Sequence, residues 1–184
     1  LHRLFLQDRI PHPVVFVDSP MAAGVTEVFR RHPELFDKEA TDFIHRNGSP
    51  FDFPNLRTVR SVDESKTLNY IKGTVIIIAG SGMCTGGRIK HHLAYNISRR
   101  ESTILFVGYQ AADTLGREIV GGAREVRILG QKHRVRAKIV QMGGFSAHAD
   151  RDELLKWLSG FQTPPSKLFV THGESRTALS FADL

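Results

Sequence analysis

Thr74-Val75-Ile76-Ile77-Ile78-Ala79, followed at once by Gly80-Ser81-Gly82-Met83-Cys84-Thr85-Gly86-Gly87-Arg88, is the stretch that decides the fold. Apolar, mostly β-branched residues fill the first part on both faces of an extended chain, as in a central strand of a parallel sheet. The glycines then permit a tight turn and close backbone approach, and Gly86 to Ile97 reads as the helix that leaves the turn. A helix entered this way offers free amides and the positive end of its dipole to an anion. A tight turn with no ligand is the competing reading of the same glycines.

Upstream, Pro13-Val14-Val15-Phe16-Val17-Asp18 is a short apolar strand. Asp18 or Ser19 can cap the helix expected over Met21 to Arg31, with Pro20 in its first turn. A helix from Glu34 to about His45 follows, then a loop over Asn47 to Asn55, a strand over Leu56 to Ser61 and a helix over Val62 to Ile71. Downstream, a strand over Thr103 to Val107 and a helix over Thr114 to Val120 continue the alternation. That rhythm predicts an α/β architecture with a parallel, helix-covered, Rossmann-like sheet. After Gly121-Gly122 the texture changes. Strands over Glu125 to Leu129 and Arg134 to Met142 flank Gly130 and predict a hairpin, followed by a helix over Asp150 to Phe161 and a strand over Lys167 to Val170. The expected modules are therefore residues 1–122 and 123–184.

The 184 residues are 41% hydrophobic, enough to bury a core. The 25 Lys and Arg against 19 Asp and Glu leave a net charge of +6, which points to a polyanion partner or to an ordinary basic surface. No run approaches the roughly 18–20 apolar residues of a membrane span, and no secretory leader pattern is present. Cys84 is the only cysteine, which excludes an internal disulfide and a cysteine-rich zinc knuckle and makes the cytoplasm the simplest expected location. The chain begins with Leu1 rather than Met and stops at Leu184 within what reads as a new helix, so a piece of a longer polypeptide is expected.

Two histidines stand where strands give way to loops. Gly143-Gly144-Phe145-Ser146-Ala147-His148-Ala149-Asp150 lets the chain bend before a helix that Asp150 caps. A histidine there can hand a proton to a leaving oxygen while Ser146 and nearby amides bind phosphate. Capping alone is the plainer reading of this motif. His172, in Thr171-His172-Gly173-Glu174, suits a zinc ligand that Glu174 could orient. Catalytic zinc usually takes at least three protein ligands, and no His-x-His, His-x-x-x-His or Cys-x-x-Cys spacing supplies the others. Adjacent helical residues point about 100° apart, so His91 and His92 cannot converge on one metal and are read as surface or cap residues. His2, His12, His32, His45 and His133 lack a partner at ligand spacing.

Taken in order, these motifs resemble the β-CASP nucleases, the RNA-processing branch of the metallo-β-lactamase superfamily. Ile10-Pro11-His12-Pro13 through Asp18-Ser19-Pro20-Met21-Ala22 resembles the opening of the β-CASP domain. Gly80-Ser81-Gly82-Met83 resembles its Ser/Pro-Gly-Met loop, and Gly108-Tyr109-Gln110 with Thr114-Leu115-Gly116-Arg117 its next signature. Phe145-Ser146-Ala147-His148-Ala149-Asp150 and His172-Gly173-Glu174 are similar to motifs B and C.

The resemblance implies an α/β β-CASP domain followed by a hairpin, helix and strand of the metallo-β-lactamase αββα domain. It implies a catalytic, proton-transferring His148, a zinc-ligating His172, and an RNA or phosphate site at Ser146, Ser81, Gly82, Met83 and Arg88. The implied cofactor is zinc, two ions in the intact protein and none on this chain alone, because the family's His-x-His-x-Asp-His motif and other ligands would precede Leu1. The implied activity is RNA phosphodiester hydrolysis by the intact protein. RNA is the expected partner, a membrane is not, and a homodimer of the intact protein is admitted. Two rivals predict otherwise: a non-catalytic RNA-binding scaffold, and a nucleotide-binding α/β oxidoreductase, for which the glycine loop would be a dinucleotide turn. Against the second, Val107-Gly108-Tyr109-Gln110 offers no acidic residue to hold a ribose.

Overall fold

β1 (Val14–Val17) is the centre of the parallel sheet in the computed structural model, which describes residues 1–184. β2 (Leu56–Thr58) and β3 (Val75–Ile78) pair with it in parallel, with Val15 opposite Leu56 on one side and Ile76 on the other. The sequence places Thr74 to Ala79 centrally, but β3 is an edge strand with Ile78 exposed, whereas Val15 is fully buried. An apolar run reports what covers the faces of a strand and says nothing about how many neighbours flank it.

The helices follow the sequence reading with sharper ends. After α1 (His2–Leu6), Ser19 caps α2 (Pro20–Arg31), its hydroxyl accepting the Ala22 amide at 3.2 Å. Asp37 caps α3 (Lys38–Asn47), so the helix expected from Glu34 starts later, after a 3-10 turn over Pro33–Leu35. Ser61 and Glu64 form a reciprocal capping box for α4 (Val62–Thr67), and a 3-10 turn over Leu68–Tyr70 ends that segment. α5 (Arg88–Asn96) leaves the glycine loop and α6 (Leu115–Val120) starts from the Thr114 cap.

β4 (Thr103–Phe106), β5 (Glu125–Ile128), β6 (Gln131–Arg134) and β7 (Lys138–Gln141) complete the strands. The hairpin is β5–β6, not Glu125–Leu129 with Arg134–Met142. Leu129 and Gly130 both take positive φ, +50° and +82°, so a two-residue turn sets Ile128 directly against Gln131. The chain beyond Arg134 is thereby released, and β7 pairs in parallel with β4, Ile104 opposite Ile139. This ladder joins chain before Gly122 to chain after it.

Two small cores result. One gathers Phe5, Val15 and Phe53; the larger gathers Cys84, Leu93, Ile97, Phe106, Ile119, Val126 and Ile128. Cys84 thus anchors the glycine loop, and burial pushes its thiol up to about 11, so it stays protonated and unreactive. α7 (Arg151–Ser159) and α8 (Ser175–Ala182) bury no residue. The strand expected over Lys167 to Val170 does not form: no strand of the chain pairs with it, and Leu168 and Phe169 remain exposed. No helix is long and apolar enough to cross a membrane.

Candidate active site

His148 and His172 meet, with ring centroids 5.9 Å apart and planes inclined by 39°. Gly144, at φ +89°, bends the chain into the loop that carries Ser146 and His148. The Ser146 hydroxyl oxygen accepts the His148 backbone N–H at 3.2 Å and lies 2.9 Å from His148 Nδ1. With a lone pair engaged by the amide, the hydroxyl hydrogen is free to donate to Nδ1, which leaves the proton of a neutral imidazole on Nε2. Asp150 takes no part in this: it caps α7 in a reciprocal box with Glu153, at 2.9 and 3.0 Å. Capping and the histidine geometry therefore coexist in one motif, served by different residues.

His172 adopts φ +70°, a left-handed conformation that costs a non-glycine residue about 1–2 kcal/mol. Glu174 does not orient its ring as the sequence suggests. The Glu174 carboxylate accepts a hydrogen bond from the Tyr109 hydroxyl and sits 3.8 Å from the Arg117 guanidinium. That hydrogen bond pushes the Tyr109 phenol above its ordinary pKa. His148 and His172 supply two nitrogen donors, and nowhere in the chain do three or more His, Cys, Asp or Glu side chains gather in a metal-holding group. The donors present fall short of the three protein ligands of a catalytic zinc site.

The glycine loop is a second, separate unit. A Cβ on Gly87, at φ +75°, would lie 2.8 Å from the Gly80 carbonyl oxygen, so the loop closes on itself only with glycine there. Ser81 Oγ lies 3.3 Å from Thr85 Oγ1, and Gly82 is exposed. Met83 is held from both ends: its carbonyl accepts the Gly116 amide at 3.2 Å, and its sulfur accepts the Ala111 amide at 3.3 Å. The Gly-Ser-Gly-Met loop and the Gly-Tyr-Gln to Gly-Arg stretch, 20 or more residues apart in sequence, are thus one packed surface. Ser146 and the two histidines do not hydrogen-bond to it.

Arg88, expected at a phosphate, directs its guanidinium inward. It donates to Asp18 Oδ1 at 2.5 Å, the Val59 carbonyl at 3.2 Å and the Arg60 carbonyl at 3.1 Å. His92, read from the sequence as a surface or cap residue, is buried: its Nε2 lies 2.6 Å from Asp18 Oδ2 and its Nδ1 3.1 Å from Asn69 Oδ1. Ser65 Oγ also donates to Asp18, at 2.5 Å. Burial alone raises the Asp18 carboxyl pKa, but the bonds from Ser65, His92 and Arg88 outweigh it and hold the group below its ordinary range. The sequence signal was an aspartate at the carboxyl end of a buried strand, a place where a charge needs partners.

The parallel α/β scaffold carries a glycine loop at a strand exit and, apart from it, a serine-supported histidine pair. The chain belongs to the β-CASP family: residues 1–119 match the Beta-Casp domain, and residues 132–184 match the Zn-dependent metallo-hydrolase RNA specificity domain. It is 38% identical to ribonuclease TTHA0252 of Thermus thermophilus over 96% of this chain and 40% of that protein. It is 31% identical to transcription termination factor FttA of Methanocaldococcus jannaschii over 92% of this chain and 27% of that protein, and 31% identical to FttA of Thermococcus kodakarensis over 91% and 27%. The chain therefore spans less than half the length of these relatives.

Proposed function

We propose that this chain forms the RNA-facing part, and half of the cleavage centre, of a zinc-dependent ribonuclease that hydrolyses RNA phosphodiesters in the cytoplasm. The observation that carries this reading is the meeting of His148 and His172 with Ser146 bonded to His148 Nδ1. In the proposal, Ser146 orients the His148 ring; the imidazolium, its Nδ1–H donating to the Ser146 hydroxyl oxygen, gives its Nε2 proton to the oxygen that leaves the cleaved phosphodiester and is left as neutral imidazole. Both imidazoles are exposed, as a polymeric substrate requires. His172 serves as a nitrogen ligand to zinc, whose contribution when bound is to activate water for attack on phosphorus. The remaining ligands come from outside these residues, which is why two ions are assigned to the intact protein and none to this chain. The Ser81-Gly82-Met83 loop contacts the RNA backbone, and the +6 charge supplies the long-range attraction. Support comes from the matched RNA specificity domain and from a relative named as a ribonuclease.

The test is titration of a fluorescent single-stranded RNA with the purified chain at about 50 and 200 mM salt. Binding at the lower concentration that weakens steeply at the higher one is expected, without cleavage on adding zinc. A flat salt response, or no binding at low salt, sinks the RNA-facing assignment; cleavage by the chain alone sinks the half-site assignment.

A further inference from the structure

Glu174 stands at the N-cap position of α8, where an acidic side chain ordinarily accepts an amide from its own helix, yet it accepts none. Its carboxylate reaches instead to the Tyr109 hydroxyl and lies 3.8 Å from Arg117. Arg117 in turn lies over the Tyr109 ring at 5.6 Å and donates to the Gln110 carbonyl at 3.1 Å. No other residue after Met142 makes a hydrogen bond or ion pair to a residue before it. The segment that carries both histidines is thus fastened to the sheet domain at one polar point.

From these contacts we infer that Tyr109 and Arg117 are positioning residues: they clamp Glu174 and so fix the turn that presents His172. The inference rests on the reading of His172 as a site residue. The turn needs such a clamp. His172 holds a left-handed φ, and α8 buries nothing that would hold the turn by packing. The clamp also connects the two units of the site. On α6, Gly116 donates its amide to Met83 of the glycine loop, while the next residue, Arg117, faces Glu174. A Cβ on Gly116 would stand 1.8 Å from Gln110 Oε1, so the helix sits against Gln110 and cannot shift without moving both contacts. The RNA-facing loop and the histidine turn therefore share one helix end as their reference.

The experiment measures hydrogen exchange and His172 imidazole NMR resonances in the full chain and in Tyr109→Phe, Glu174→Gln and their double variant. Tyr109→Phe keeps the ring under Arg117 and removes only the hydroxyl. The reporter amide is Ala178, which donates to the Glu174 carbonyl at 2.9 Å. Each single variant is expected to speed exchange at Ala178 by about 3–10-fold and shift the His172 resonances, with the Leu93 and Ile97 amides unchanged. The double variant is expected to match the larger single effect, since the two changes break one contact. Unchanged Ala178 exchange and His172 resonances in Tyr109→Phe, or additive effects in the double variant, overturn the clamp. Neither readout contains RNA, so the result is independent of the RNA-binding test.

Discussion

His92 and His148 both hold a ring nitrogen within hydrogen-bond distance of an oxygen, and there the likeness ends. His92 lies on α5, between a carboxylate and an amide, with 5% of its surface accessible. His148 stands in an exposed loop with a hydroxyl on one nitrogen and nothing on the other. Both nitrogens of His92 are occupied, so it can only hold structure. One nitrogen of His148 is free, so it can exchange a proton with a visitor. Which of two histidines does chemistry is decided by the unoccupied nitrogen, not by the presence of a polar neighbour.

The contrast can be broken most forcefully at His148. In the full-length protein, His148→Ala is expected to lower the RNA cleavage rate by about 10²–10⁴-fold while the thermal midpoint stays within error. A cleavage rate within threefold of the parent would place the proton transfer elsewhere. The buried network should respond in the opposite sense. Asp18→Ala leaves Arg88 and His92 without their common anion and is expected to cost about 3–5 kcal/mol in urea unfolding of the chain. A loss below about 1 kcal/mol would show that water or another group readily replaces the carboxylate.

Asp18 also gives the contrast a pH dependence. Its folded-state pKa is depressed, so the unfolded chain binds the proton more readily. Its stabilising contribution is complete above the ordinary carboxylate range and is lost as pH falls below about 4 through the folded value. Acid unfolding of Asp18→Asn should be shallower than that of the parent over this window, whereas His148→Ala should follow the parent curve. The smallest effect is expected from Ser146→Ala. The histidine remains but its ring is less firmly oriented, so a loss of several-fold in cleavage by the full-length protein, with unchanged RNA affinity, distinguishes orientation from binding.

The elements legible in the sequence were those set by local chemistry. Ser19-Pro20 announced α2, and Asp150 announced α7, because caps act within four residues. The meeting of His148 with His172 was foreseeable only through resemblance, since no local spacing brings two loops 24 residues apart together. What escaped was long-range. Asp18 finds Ser65 on α4 and Arg88 and His92 on α5, and none of the three was expected at a carboxylate. Glu174 was assigned to its neighbour His172 but is drawn away by Tyr109 and Arg117. β3 announced its apolar faces and not its place at the edge, and Lys167 to Val170 carried strand-like residues without a partner strand.

The β4–β7 ladder governs how this protein can be dismantled. A cut at Gly122, where composition changes, would strand β4 without its neighbour and leave Ile139 with nothing to lie beside. It would also divide the larger core, separating Val126 and Ile128 from Leu93 and Ile97. A cut after Met142 severs no ladder and takes away only the histidine-bearing segment, held by its single clamp. Exchange of parts between relatives, in the laboratory or over evolutionary time, therefore has a natural seam some twenty residues beyond the one that composition draws.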